Sequence, residues 1–145
     1  MPDLDAIALP PPAADLCTEQ EVIRLVHAFY ARVRAEPRLG PVFAARVGDW
    51  DTHLAHLVDF WSAMLRGTRR FSGAPMPKHM AMDELDRDLF ERWLALFRLS
   101  TAECGNPAMQ RLADDVAARI AENFWRRFQM LRWPELPMAG QPRRD

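Results

Sequence analysis

Four long segments of the 145-residue chain carry apolar side chains every three or four residues, the spacing of an amphipathic α-helix. Thr18–Glu21 (TEQE) has the form of a capping box and starts the first helix, which ends before Pro37. The second helix begins near Asp49, with Asp49 or Asp51 as its cap, and Gly67 stands where a helix-ending glycine belongs. The apolar positions of these two helices are Val22, Ile23, Val26, Phe29, Tyr30 and Val33, then Leu54, Leu57, Val58, Phe60, Trp61, Met64 and Leu65.

The second half of the chain predicts two more helices. The third begins between Asp83 and Asp86, and the fourth starts at Asn106-Pro107, with Asn106 as its cap, and runs to about Arg132. Their apolar positions are Leu89, Phe90, Trp93, Leu94 and Phe97, then Met109, Leu112, Val116, Ile120, Phe124, Phe128 and Leu131. No segment alternates apolar and polar residues with the period of a strand, so the sequence predicts an all-α fold.

The connections between these helices differ in kind. Residues 39–43 predict a short turn that presents one aromatic side chain, Phe43. The connection from residue 68 to residue 78 contains Pro75 and Pro77, which prevent a regular helix, and it leads directly to His79. A four-helix bundle needs only a compact loop at that point, so the broken connection favours a globin-like packing of the helices.

Composition and charge narrow the class of protein further. We predict one domain, residues 17–134, between flexible proline-rich tails at residues 1–16 and 135–145. The absence of a long apolar run and of a signal-peptide pattern predicts a cytoplasmic protein that does not enter a membrane. A net charge of −1 gives no electrostatic case for binding nucleic acid or an anionic membrane. Cys17 and Cys104 are far apart in sequence and are interpreted as free thiols in a reducing compartment.

Four histidines are the first candidates for chemistry. His27 and His56 lie at the margins of apolar faces, and we interpret them as structural or surface residues. His53 lies at the edge of the second helix's apolar face, four residues before Leu57. His79 follows the two prolines, where the chain changes direction between helices, which is a placement that packing alone does not explain.

Tyr30 and Trp93 are polar aromatic residues in the middle of apolar faces. A buried phenol needs a hydrogen-bond partner, and an indole N–H can only donate. Together with His53 they would place a phenol, an imidazole and an indole, from three different helices, in one core. Each residue alone is more often an ordinary core residue, but the combination is unusual for a core that only packs.

Two other kinds of function compete with a cofactor protein. The aromatic residues could simply be the core of a helical interaction module without a cofactor. Alternatively, His53 and His56 share a helix face and could bind zinc, with a third ligand from His27 or a carboxylate. That signal is weak, because zinc-binding helices more often space their two histidines by four residues.

Several motifs, in order, are similar to one known family. They are Phe29–Arg34, Leu39–Phe43, His53 with Phe60 and Trp61, Gly73–His79, and Phe90–Phe97. With these motifs the chain resembles the truncated haemoglobins, and within them the third group, over about residues 19–132. The chain also lacks the Gly-Gly pairs of the first two groups.

The resemblance implies a two-over-two helical sandwich that encloses one haem b. His79 matches the family's proximal iron ligand, Phe43 the phenylalanine that packs on the haem plane, and Leu57 an apolar distal wall. The family's distal pocket residues correspond to Tyr30, His53 and Trp93. The resemblance further implies a small diatomic ligand, O₂ or alternatively NO, CO or peroxide. Up to three hydrogen-bond donors around that ligand would slow its release, which favours redox chemistry rather than transport, with an unidentified reductase as partner.

The chain departs from the family at Phe71, where many relatives have a tyrosine. A phenol therefore cannot contact the haem propionates from this position. Arg69, Arg70 and Lys78 are the alternative partners for the propionates by charge pairing.

Overall fold

The computed structural model describes residues 9–69 and 87–132, without the side chains of residues 124 and 127–132. Within these ranges the backbone forms helices and no strand, which confirms the predicted all-α class. The helices are α1 (Glu19–Ala35), α2 (Leu39–Arg46), α3 (Trp50–Arg66), α4 (Arg87–Ala102) and α5 (Pro107–Arg132). The predicted start of α4 at Asp83–Asp86 lies outside the described residues.

The helix starts predicted from local sequence are confirmed. At α1, Thr18 Oγ1 accepts a hydrogen bond from the Glu21 N–H at 3.0 Å, and Glu21 Oε1 accepts one from the Thr18 N–H at 2.9 Å. At α3, Asp49 Oδ1 accepts from the Thr52 N–H at 3.3 Å. These side chains satisfy N–H groups that have no partner inside the first turn of a helix.

The end of α3 and the start of α5 also follow the prediction. Gly67 ends α3 with a φ of 72°, a left-handed conformation that glycine adopts without steric strain. Asn106 caps α5, because its Oδ1 accepts from the Met109 N–H at 3.1 Å.

The predicted short turn at residues 39–43 is wrong, since this stretch begins the eight-residue helix α2. The Glu36 carboxylate supplies the missing start signal by accepting from the N–H groups of Arg38, at 2.7 Å, and Leu39, at 2.6 Å. Gly40 lets α2 pack closely on α1, because a Cβ there would lie 2.5 Å from the Arg34 carbonyl oxygen. Phe43 is thereby held at 2% exposure.

The helices pair in two layers. α1 packs against α3 and α4 packs against α5, while α1–α4 and α3–α5 contacts join the two layers. Phe29, Trp61 and Phe97 form the centre of the joint core: Trp61 stacks on Phe97 at 4.8 Å between ring centroids, and Phe29 meets Phe97 edge-on at 5.0 Å.

The predicted apolar faces were slightly misplaced. Ile23, Leu54 and Met64 are only half-buried, while Leu25, which the predicted face of α1 omits, is 1% exposed. Leu25 is buried because α1 contacts α2, α3 and α4 at once, so its buried arc is wider than that of a helix with one neighbour.

The end of the predicted N-terminal tail contacts the folded helices. The Ala13 N–H donates to the Leu65 carbonyl at 3.1 Å, and the Leu16 carbonyl accepts from Asn106 Nδ2 at 3.0 Å. The half-buried Leu16 side chain packs against the core. Residues 1–8 and 133–145 lie outside the described part of the chain, so the domain boundaries at 17 and 134 stay predictions.

Candidate functional site

Tyr30 lies in the middle of α1 and is 2% exposed. Its ring makes edge contacts with His53 of α3, at 5.8 Å and 89°, and with Phe43 of α2, at 6.1 Å and 69°. Burial raises the pKa of the phenol far above its ordinary value, and the nearby Trp93 side chain offsets only part of this effect. The Tyr30 hydroxyl therefore keeps its proton at physiological pH and remains a hydrogen-bond donor.

Trp93 reaches the same region from α4. Its ring stacks on Phe97, with centroids 5.8 Å apart at 13°, and meets Phe29 edge-on at 5.3 Å. The Trp93 Nε1–H is buried, and no group in the described part of the chain accepts a hydrogen bond from it in normal geometry. The Trp93 indole also keeps the Tyr30 pKa below the value that burial alone would give, which places the indole N–H beside the phenol oxygen. A buried donor without an acceptor is costly and calls for an explanation.

His53 and Leu57 form the α3 side of this region. His53 is half-buried, and Leu57, one turn later, is 5% exposed. The structure thus brings together Tyr30, His53 and Trp93, with Phe43 and Leu57 as apolar neighbours on α2 and α3. We call Tyr30, His53 and Trp93 the distal cluster.

An ion cluster fixes the start of α4 against the α1–α2 corner. Arg92, next to Trp93, contacts Glu36 Oε1 at 2.9 Å and Asp88 Oδ2 at 2.8 Å, and Arg38 also pairs with Asp88. Burial works to raise the pKa of Glu36, but the N–H groups of Leu39 and Arg38 and the Arg92 guanidinium outweigh it and hold that pKa below its usual value. Glu36, the residue that ends α1, thus accepts hydrogen bonds from the start of α2 and from α4.

A second ion cluster ties α1 to the end of α4. The Arg32 guanidinium donates to both Glu103 oxygens, at 2.7 and 2.6 Å, and to Ser100 Oγ at 3.0 Å. This bidentate bond lowers the pKa of Glu103. Exposed ion pairs contribute only about 0–1 kcal/mol each, so we assign both clusters a geometric role: they bracket Trp93 and Phe97 along α4.

Comparison with known proteins identifies the family. A family model of bacterial-like globins matches residues 15–127. The group 3 truncated hemoglobin ctb of Campylobacter jejuni is 32% identical over 110 residues, covering 73% of this chain and 87% of that protein. A crystal structure of group III truncated hemoglobin from Campylobacter jejuni matches with a TM-score of 0.73 and 29% identity, covering 80% of this chain and 94% of that one. This chain is a bacterial-like globin of the third truncated-haemoglobin group.

Membership of this family confirms the predicted resemblance and the globin-like, two-over-two fold. As a globin, the chain binds haem and, through it, small diatomic ligands. The described side chains fit that use. Phe43 and Leu57 are buried and apolar, and the buried Trp93 N–H has no acceptor among the described residues, while the roles of these residues at a haem stay predictions.

Part of the predicted globin site falls outside the described residues. His79, the predicted proximal ligand, belongs to this part, as do Phe71, Arg70 and Lys78. Arg69 is described and exposed, which leaves it one of three candidates for the propionates. The roles of all these residues stay predictions.

The competing hypotheses gain no support from the globin structure. His56 is exposed, and among the described residues no group of three His, Cys, Asp or Glu side chains is arranged to hold a metal ion. No described helix is long and apolar enough to cross a membrane. The family assignment favours a haem protein over a cofactor-free interaction module.

The sequence interpretation overlooked two residues beside the distal cluster. Trp50 makes ring contacts with both His53, at 5.6 Å, and Tyr30, at 6.2 Å, and the Arg34 guanidinium lies 4.4 Å above the Trp50 ring. Spacing offered a signal, because Trp50 is three residues before His53 and Arg34 four after Tyr30, one helical turn in each case.

Proposed function

We propose that this globin binds haem b through His79 and holds dioxygen, or alternatively NO, CO or peroxide, against the distal cluster for redox chemistry rather than transport. The observation that carries the proposal is the buried Trp93 N–H beside the Tyr30 hydroxyl, without an acceptor among the described residues. A reductase of unidentified class would supply the electrons. Two cysteines without a disulfide support a cytoplasmic location, where thiols stay reduced.

When bound, haem supplies an iron that coordinates a diatomic molecule and exchanges electrons with it. The protein's own contribution is a set of fixed donors. Tyr30 keeps its hydroxyl proton because burial raises the pKa of the phenol, and Trp93 can only donate. His53 is a third donor from α3, and its place near the start of that helix also suits a gate that swings towards solvent.

The strength of these donors favours retention of the ligand. A hydrogen bond to a ligand with partial negative charge contributes about 1–3 kcal/mol, and each ~1.4 kcal/mol is a factor of ten in a rate. Two such bonds would slow dissociation on the order of a hundredfold or more. Slow release suits a protein that holds oxygen or peroxide for reduction, because the same donors polarise the O–O bond.

The first test concerns haem and its ligand. The purified protein should show the Soret band of a histidine-ligated haem, and His79→Gly should bind haem more weakly or only with added imidazole. His27→Gly and His56→Gly are matched controls at exposed positions, and their haem content should equal that of the wild type. A wild type that takes up no haem, or a His79→Gly variant with an unaltered spectrum, would overturn the proposal.

A further inference from the structure

The aromatic rings of Tyr30, His53 and Trp50 form a closed triangle. The centroid separations are 5.8 Å for Tyr30–His53, 5.6 Å for Trp50–His53 and 6.2 Å for Tyr30–Trp50. The Trp50 and His53 rings stand at 88°, and the Tyr30 and His53 rings at 89°, so both neighbours have an edge-to-face relation with the imidazole. Any rotation of His53 out of the cluster must therefore break contacts with both rings.

The two neighbours of His53 differ in how firmly they are held. Tyr30 is 2% exposed in the middle of α1 and contacts Phe29 and Phe43 as well. Trp50 is half-buried and is the first residue of α3, directly after the cap Asp49. No preceding helical turn supports Trp50, so of the two rings that contact His53, the Trp50 ring is the one that can move.

Arg34 covers the half-buried Trp50 from α1. Its guanidinium carbon lies 4.4 Å from the Trp50 ring centroid, the distance of a cation–π contact, and the Arg34 side chain is exposed. Long helical side chains lean towards the amino end of their helix, so the His53 imidazole leans towards the turn that Trp50 occupies. Arg34 is exposed, Trp50 and His53 are half-buried, and Tyr30 is buried.

We propose that Trp50, held by Arg34, is a positioning residue that keeps His53 turned into the distal cluster and thereby limits how fast a small ligand enters. The proposal rests on the proposed function, because it concerns access to the same site. Neither residue needs to touch the ligand, since both act through the orientation of His53. Opening requires Trp50 to leave the Arg34 guanidinium, and this contact sets the fraction of molecules whose His53 points outwards.

The test uses the haem-loaded protein and carbon monoxide. Flash photolysis gives the association rate, and infrared spectroscopy gives the C–O stretch, whose frequency falls when a hydrogen-bond donor lies beside the ligand. Arg34→Gln should raise the association rate about two- to fivefold, the size of one exposed cation–π contact. Trp50→Ala should raise it roughly tenfold, because the ring contacts are lost as well. In both variants the lower-frequency C–O band should lose intensity.

Conservative variants separate this role from general destabilisation. Trp50→Phe keeps an aromatic face and Arg34→Lys keeps the charge, so both should lie closer to the wild type than Trp50→Ala and Arg34→Gln. Arg24→Gln is the matched control, an exposed arginine near the other end of α1, and it should change neither the rate nor the band.

The outcomes distinguish this proposal from the proposed function. If the wild type binds haem and carbon monoxide but Arg34→Gln and Trp50→Ala leave both readouts unaltered while His53→Leu alters them, the positioning role is wrong and the haem function stands. If the wild type binds no haem, both proposals fail together. If Trp50→Ala does not fold, Arg34→Gln against Arg34→Lys still decides the matter.

Discussion

Buried polar groups near the two ends of α1 differ in whether they have hydrogen-bond partners within the protein. At its amino end, the Asn106 side-chain amide donates to the Leu16 carbonyl at 3.0 Å and to Glu21 Oε2 at 3.2 Å, while its oxygen accepts from the Met109 N–H at 3.1 Å. Both donors and the acceptor are used, so this junction is satisfied by the protein itself. Toward the carboxyl end of α1, the distal cluster includes the Trp93 N–H, which has no acceptor among the described residues.

The two regions thus differ in that the polar groups of the Asn106 junction bond to one another, whereas the Trp93 N–H, like Ser62 Oγ and Thr68 Oγ1, has no partner among the described residues. An unsatisfied buried donor costs about 1–3 kcal/mol, whereas a satisfied one contributes about 1 kcal/mol to stability. A mutation at the junction should therefore lower stability and leave ligand binding alone. A mutation in the distal cluster should alter ligand binding and change stability less. The variants below test this separation of stability from ligand binding.

The largest expected effect is on ligand release. Tyr30→Phe and Trp93→Phe each remove one donor, and each should speed oxygen dissociation about tenfold to a hundredfold. The loss of Trp93 packing against Phe29 and Phe97 lowers stability in Trp93→Phe, but removal of a buried donor without a partner offsets part of it, so the free energy of unfolding should change by less than about 2 kcal/mol. Stopped-flow measurement with an oxygen scavenger gives the rate, and denaturant unfolding gives the stability. A fast wild-type off-rate that neither substitution changes would rule out the donor cluster and indicate simple reversible binding.

The next effect is on stability at the opposite junction. Asn106→Ala removes the cap of α5 and the bonds to Leu16 and Glu21, and should lower the free energy of unfolding by roughly 2–3 kcal/mol, more than a cap alone. The matched control is Asn123→Ala, an exposed asparagine inside α5, which should change stability by less than about 0.5 kcal/mol. Urea unfolding measures both. An oxygen off-rate altered by Asn106→Ala as strongly as by Trp93→Phe would contradict the separation of the two regions.

The sequence predicted those parts of the fold that depend on neighbours in the chain. The capping box of α1 and the glycine that ends α3 involve residues three or four apart, so their signals are local. Helix α2 was missed because its start is capped by Glu36 across Pro37, and because its close approach to α1 depends on Gly40 facing the Arg34 carbonyl.

The candidate site shows the same limit. Tyr30, His53 and Trp93 could be named because each is a polar aromatic residue on an apolar face. The pairing of Arg34 with Trp50 and of Arg32 with Glu103 could not be predicted, because each contact joins different helices, the second across 71 residues of sequence. Such pairs depend on how helices are oriented, which periodicity does not specify.

The smallest expected effect is a pH dependence of stability that arises from Asp114 on α5. Burial raises the pKa of Asp114 on α5, and Thr101, with smaller effects from Arg98 and Arg111, offsets part of the rise. Thr101 Oγ1 lies 2.7 Å from Asp114 Oδ1 and 3.1 Å from the Arg98 carbonyl oxygen. The hydroxyl has one proton, so it can donate to both oxygens only in turn. A protonated Asp114 satisfies both contacts, because its carboxyl group donates to Thr101 Oγ1 while the Thr101 hydroxyl donates to the Arg98 carbonyl oxygen.

The sign of the dependence follows from the raised pKa. Because the folded protein holds the Asp114 proton more tightly than the unfolded chain, this contribution is fully present below about pH 4, the unfolded pKa, and is lost as pH rises through the folded pKa. Asp114→Asn supplies a permanent donor to Thr101 and does not titrate. The variant should differ from the wild type by less than about 1 kcal/mol at pH 4 and become relatively more stable towards pH 7. Asp49→Asn is the opposite control, because the Thr52 hydroxyl and N–H lower the Asp49 pKa, so that variant should become relatively less stable as pH rises to about 5 and show no further change above that. Thermal melts from about pH 2 to pH 7 measure both dependences, and a flat dependence of Asp114→Asn relative to the wild type above about pH 4 would show that Asp114 is not held as a buried acid.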